Sequence, residues 1–471
     1  MRDLHIRLSM VDFISVLDVH VWKKVNEHGY AKIKGIIADK DETVLFRNAE
    51  SDEYAVLAIE DDDGNTKNIF AGIVKHIQVE NVGGVKTAEI QLQGATKLMD
   101  SKKHTRTFQN KGMSYEQMLD IVNADYRKIM YLTGCGNGTA INNLIVQYNE
   151  TDWEFIKRLA SHFYQPIVPD YGDVGIRYSF GLSTDESPKQ LNEASYKVES
   201  NVTEYRLKDA SRIPGIYPAD FQYYEVRSRE YTELGEKVIF QGKEFYVYES
   251  ESTYTGDELV HKYILRRKGG FSVVKNYNTR ITGASLSGTV LAVKNDTVKI
   301  KLDVDGKQDE ETAQWFAYST VYSSEDGTGW YCMPEKNDKI RLYFPDEKEE
   351  DGYVISSINT DNGTTAGISD RPRSNPDRKS ISNKYQKQIE LTPTSIMLTN
   401  NKGMRICLDD EKGINITSDK KVTIESMNEL SIKSDERLDV EALSSIQLLQ
   451  GSTKLRLEDE ITVEGASFKV Q

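Results

Sequence analysis

The stretch GCGNGT, residues 134–139, has the composition of a glycine-rich phosphate loop. Such a loop follows a strand and ends on Lys-Ser/Thr, so that backbone N–H groups and an ammonium meet the anion together. This one follows a helical pattern and lacks both the third spaced glycine and the lysine, so it reads as a turn. DDDGN, residues 61–65, clusters carboxylates as a calcium loop does. Its glycine stands at the fourth place instead of the sixth and no Glu closes a twelve-residue loop, so a hairpin turn is expected. Cys135, Cys332 and Cys407 lie far apart with no CxxC, and the seven histidines stop at His261 with none close to a cysteine. Neither a zinc site, a disulfide framework nor a Cys-His nucleophile is encoded locally. With 74 acidic residues, Glu-Asp pairs occur everywhere, and none stands in a glycosidase arrangement. The expectation is a protein that is not an enzyme, with no catalytic, cofactor-binding or metal-ligating residues.

A net charge of −14 argues against a phosphate-tracking surface, because nucleic-acid affinity comes chiefly from clustered Lys and Arg. The basic strip Arg266, Arg267 and Lys268 reads as the flank of a strand, with contact to a partner subunit as the alternative. The N-terminal stretch mixes charges among its apolar residues and no stretch reaches membrane-spanning length, so neither a signal peptide nor a transmembrane helix is expected. Together with the sparse cysteines this points to a protein made in the cytoplasm.

The elements that would position any site are mostly strands. A chain of 471 residues exceeds one core, so two to four domains are expected. Residues 1–100 alternate in strand fashion through YAKIKGII, TVLF, YAVLAI, NIFAGIVKHIQVE and KTAEIQLQG, with Gly- and Asp-rich turns between, and read as a first barrel. A helical connector, 101–164, follows. Ser114 with Gln117 forms a capping box ahead of MLDIVNADYRKIM, and Thr151 with Glu154 forms another ahead of WEFIKRLASHF, where Trp153, Ile156, Ala160 and Phe163 share a face. Residues 165–280 read as a second barrel and 281–360, with five strand candidates, as a small closed barrel of the OB type. Residues 361–388 are a polar linker rich in Gly, Ser, Asn, Asp and Pro.

From about Ile389 to the last residue, 471, an eight-residue repeat takes over. It places apolar pairs at Ile414 and Ile416, Val422 and Ile424, Leu430 and Ile432, Leu438 and Val440, Ile446 and Leu448, with Asn415, Thr423, Ser431, Asp439 and Gln447 between them. Residues i and i+2 of a strand face one side, so each block offers two apolar side chains inward. A single-chain β-helix needs roughly twenty residues for one coil. Eight residues supply one side of a triangular prism whose other sides come from two more chains. The expected fold is therefore a homotrimeric, intertwined β-helix needle. About ten octads stacked about 4.8 Å apart would give a rod on the order of 50 Å.

The order of two barrels, an OB-like unit and an octad needle resembles the VgrG-like spike proteins of contractile injection systems: phage tail hub-spikes, contractile bacteriocins and type VI secretion spikes. VQYNETDWEFIKRLASHF (146–163) is similar to the hub signature, and CMPEKNDKIRLYFPDEKEEDGYVISSI (332–358) to the OB segment. FAGIVKHIQVENVGG with RTFQNKGMSYEQMLDIV is similar to the first barrel and its connector. Asn337 stands where the family often has Gly, and the octads place an aliphatic where phage needles often have V-x-G.

The resemblance implies a structural hub and puncturing needle that adapts a six-fold inner tube to a three-fold spike. Its partners would be an Hcp-like or tail tube protein, baseplate proteins and, transiently, the target membrane, with no nucleic acid. Related needles can end in a His-x-His metal tip. No histidine follows His261, so Val463, Phe468 and Val470 are expected to seat a separate PAAR-like tip protein. The alternative is a fibre or tail-hub enzyme that degrades polysaccharide or peptidoglycan. It would need longer coils, or a hydrolase domain for which the linker has no room.

Overall fold

The computed structural model describes residues 5–50, 54–60, 64–183, 187–255, 258–358, 375–458 and 460–467. It comprises two units, Met1–Thr360 and Asp361–Gln471, and both are mainly β. The start of DDDGN, residues 61–63, and the linker segment 361–374 lie outside the described residues.

In Tyr30–Ile37 the alternation YAKIKGII buries Ala31, Ile33 and Ile37 on one face. Val85–Gly94 does the same with Ala88, Ile90 and Leu92. Each buried Ile or Leu among them contributes about 1.5–3 kcal/mol, which fixes the register of the pairs. TVLF, read as a strand, instead lies in the helix Asp41–Glu50, where only Leu45 is buried. Four residues are too few to separate the two periods.

Ser15–Lys24 pairs antiparallel with Lys243–Tyr254, from Val19 opposite Tyr254 to Lys24 opposite Glu249. This contact joins the strands of both expected barrels into one 12-stranded sheet that carries two apolar cores. One core gathers Val19, Ile33, Leu57, Phe70 and Ile90; the other gathers Val226, Val238, Phe240, Phe245 and Leu265. Polar pairs fasten the seam. Trp22 Nε1 donates to Glu249 Oε1 at 2.9 Å, and His20 Nε2 lies 2.8 Å from Glu251 Oε1.

Both capping boxes form: the Ser114 and Thr151 hydroxyls each accept from the backbone N–H three residues on, and Gln117 and Glu154 reach back. The first helix, Tyr115–Asn123, is shorter than the pattern suggests. After a left-handed Lys128 (φ 49°), Ile129–Thr133 is a strand. It pairs in parallel with Ile176–Phe180, which with Ile167–Pro169 forms a small three-stranded sheet sharing a core with the helices. Trp153, Ile156 and Ala160 are buried as expected of one helix face, and Phe163 packs on the same core.

The strands Trp315–Ala317, Thr297–Leu302, Ser285–Lys294, Lys339–Tyr343 and Tyr353–Ile355 form a five-stranded sheet in that spatial order. A parallel bridge between Tyr318 and Val354, with Ser319 N–H donating to the Val354 carbonyl at 2.8 Å, brings its two edges together. Asn337 holds the left-handed turn (φ 77°) ahead of Lys339–Tyr343.

Candidate functional site

The residues with catalytic flavour are all committed to structure. GCGNGT forms a tight turn with Gly136 and Gly138 at φ 74° and 64°. The Gly138 N–H, the kind of donor a phosphate would need, is taken by Glu116 Oε1 at 2.7 Å. Burial pushes the Cys135 thiol up to about 12, which disfavours its thiolate form. His104, Asp125 and Asp152 converge as metal ligands might. The Arg106 guanidinium already stands among them, 3.0 Å from Asp152 Oδ1 and His104 Nδ1 and 2.5 Å from Asp125 Oδ2. It supplies the positive charge an ion would bring. Arg266, in the basic strip, ends Leu259–Arg266, stacks on Tyr248 (4.0 Å) and pairs with Glu204.

The surface without an internal explanation lies in Asp361–Gln471. Lys379–Ser382, Gln388–Leu391, Ser395–Thr399, Arg405–Asp409 and Gly413–Thr417 form an antiparallel meander. Its register lines up Ile381, Ile389, Leu398, Ile406 and Ile416 in one cross-strand row and Leu391, Ile396, Leu408 and Ile414 in a second. All nine are exposed, from 39% at Ile406 to 74% at Ile414. They amount to roughly 700 Å² of apolar surface, above the ~300–600 Å² patch of a typical monomer and near one side of a standard interface. A shallow trough of about 500 Å³ runs past Ile389, Leu398, Met404, Ile406 and Ile416.

Beyond Thr417 the behaviour changes. Among the described residues 418–445 form no strand pair, and Val422, Ile424, Leu430, Ile432, Leu438 and Val440 are 55–67% exposed. Gly403 (φ 92°) and Gly413 (φ 75°) stand where the meander reverses, and Gly451 (φ 55°) where Ile446–Gln450 turns back on Thr453–Leu457. Residues 418–445 contain no glycine, and no other residue there takes a positive φ. The meander also reverses without a glycine, after Ser382 and between Leu391 and Ser395. The octads were expected to wind from about Ile389; over 388–417 a single chain folds back on itself instead, and the glycine-free octads stay unpaired. Of the remaining predicted residues, Ile446 is half-buried and Leu448 exposed in a three-stranded meander that ends in Ile461–Glu464, where Val463 is 48% exposed. Phe468 and Val470 lie outside the described residues.

No helix of the described residues is long and apolar enough to cross a membrane. Residues 49–162 match the family described as phage tail baseplate hub (GPD). No curated protein sequence matches the chain. Among solved structures, a component of the type VI secretion system of E. coli, itself described as similar to the T4 phage tail proteins gp27 and gp5, aligns at a TM-score of 0.51 and 12% identity over 76% of this chain and 100% of its own. The Francisella PdpA–VgrG complex aligns at 0.56 and 12% in its half-lidded form, over 88% of each chain, and at 0.56 and 11% in its lidless form, over 88% and 98%. Residues 49–162 carry the phage tail baseplate hub signature, and the chain has the fold of the VgrG-like spike proteins of contractile injection systems.

Proposed function

We propose that three copies of this chain form the hub and spike of a contractile, phage-tail-like injection apparatus, as a structural part and not an enzyme, with no cofactor. Residues 1–100 and 165–280 provide the hub modules that adapt a six-fold Hcp-like or tail tube to the three-fold spike, with 101–164 as connector and baseplate proteins around them. Residues 281–360 are an OB-fold, a reading supported by the strand order and the parallel Tyr318–Val354 closure. After the 361–388 linker, residues 389–471 form the needle that is driven into the target envelope on contraction. The particle's components are made in the cytoplasm and act outside it. Val463, with Phe468 and Val470, would seat a PAAR-like tip protein.

The observation that carries this reading is the run of octads 418–445, whose apolar pairs stay exposed among the described residues. Two further copies at the same level satisfy both their backbone groups and their side chains, and closure removes the exposed strand edges. Electron images of the purified chain test it. A three-fold body with a narrow rod is expected, and single-copy particles without a rod would contradict it.

A further inference from the structure

The glycine turn 134–139 carries a reactive bond of its own. Asn137–Gly138 is an Asn-Gly pair, the sequence most prone to lose side-chain ammonia, because glycine has no Cβ to shield its nitrogen. In that reaction the Gly138 nitrogen gives up its proton and attacks Asn137 Cγ. A new C–N bond closes a cyclic imide, the Cγ–Nδ2 bond breaks, and ammonia leaves with the proton. Water then opens the imide to aspartate or to isoaspartate, whose backbone is longer. Asn137 and Gly138 are exposed, and a Cβ built on Gly138 would meet nothing within 4 Å, so no neighbour blocks the ring sterically.

What restrains the bond is polar. Thr139 N–H donates to the Gly136 carbonyl at 2.9 Å and closes a turn with Asn137 and Gly138 at its centre. The Gly138 N–H is held by Glu116 Oε1 at 2.7 Å. The other carboxylate oxygen, Glu116 Oε2, is buried without a hydrogen-bond partner among the described residues. Burial works to raise the Glu116 pKa, and hydrogen bonds from its own N–H, the Gly138 N–H and Ser114 outweigh that and hold it below its ordinary value. A Gly138 nitrogen stripped of its proton would be an anion beside this carboxylate. Like charges in contact disfavour the ionised form, and one pKa unit is a ten-fold loss of the reactive nitrogen.

The turn in turn supports the hub. The Thr139 carbonyl accepts from the Tyr115 N–H at 3.1 Å and Ala140 bridges Ser114, so the turn closes the start of the helix Tyr115–Asn123, which carries Glu116. A lengthened backbone at residue 137 would pull these contacts apart.

We infer that Asn137 is a site of spontaneous deamidation held in check by Glu116, whose carboxylate keeps the Gly138 nitrogen protonated and tethered. This does not depend on the copy number or on the spike reading.

The test ages the full-length protein in mildly alkaline buffer and follows conversion of Asn137 by peptide-mapping mass spectrometry, with the same chain in urea as the unrestrained reference. Asn137 should convert at least about ten-fold slower in the folded protein than in urea. Glu116→Gln keeps an oxygen acceptor and removes the charge, while Glu116→Ala removes both. Each should speed conversion about ten-fold, with the second Asn-Gly pair, Asn362–Gly363, converting at its former rate. Aged Glu116→Gln should contain isoaspartate at 137 and melt below the fresh variant. Equal rates in the folded and urea-unfolded chains would overturn the inference, as would variants that convert no faster than the parent. A gain confined to Glu116→Ala would assign the protection to the turn's geometry and overturn the role of the charge.

Discussion

Arg158 Nη1 donates to Glu349 Oε1 at 2.7 Å, tying the connector helix Asp152–Ser161 to the five-stranded unit 191 residues further on. The same guanidinium makes a fork to Glu150, at 2.9 Å from Nε and 2.8 Å from Nη2, and donates to the Val146 carbonyl at 2.7 Å. Arg158 is only 3% exposed. Burial works to lower its pKa, and the charges of Glu150 and Glu349 outweigh that and hold it above its ordinary value. Burial pushes the Glu150 carboxyl up, against the pull of Arg158.

Removing one member of this set strands the others. Arg158→Ala leaves two carboxylates buried and should cost about 3–5 kcal/mol. Thermal unfolding checks the loss, and limited proteolysis should show the 281–358 unit cleaved away first. An unchanged melting temperature would mean the contact holds nothing together.

The hub should also weaken in acid. His261 is fully buried, with Nδ1 2.6 Å from Ser252 Oγ, Tyr231 and Tyr263 against its ring and the buried Lys23 ammonium nearby. Lys23 is itself held by the Tyr231 hydroxyl (2.6 Å) and by Glu233 (3.2 Å). Burial, then Lys23, push His261 down to about 4 from 6.5. The unfolded chain therefore binds a proton that the folded chain refuses between those values. Stability is fully present above about pH 6.5 and falls toward pH 4, by roughly 3 kcal/mol for this group. His261→Phe should flatten that part of the melting-temperature profile. A profile with the same slope in the variant would assign the acid sensitivity elsewhere.

How far the sequence reveals this structure depends on the reach of each signal. The caps at Ser114 and Thr151 are legible because the whole motif spans four residues. The joining of Ser15–Lys24 to Lys243–Tyr254 is not, since both strands read as ordinary alternating strands and nothing local names a partner more than 200 residues away. Lys23 appears as one more surface lysine until Tyr231 and Glu233 arrive around it. The octad repeat announces its apolar pairs, but the division between the self-paired stretch 388–417 and the unpaired stretch 418–445 is not legible in the hydrophobic period, which runs unchanged through both.

Within the octads, charge should be tolerated by the single chain and not by the assembly. Ile424 is 66% exposed in one copy, so Ile424→Asp does not disturb the fold of Met1–Thr360. In a three-sided prism it would put three carboxylates in one layer, each costing several kcal/mol to bury unpaired. The C-terminal segment should become protease-sensitive while the hub stays intact. Unchanged protease resistance of residues 389–471 would move Ile424 off the interior face.

The mass of the purified full-length protein by light scattering tests the central claim most directly. Three copies predict about three times 53.5 kDa, unchanged on dilution. A stable species of 53.5 kDa that unfolds cooperatively, with its octads protected from protease, would contradict the three-chain needle.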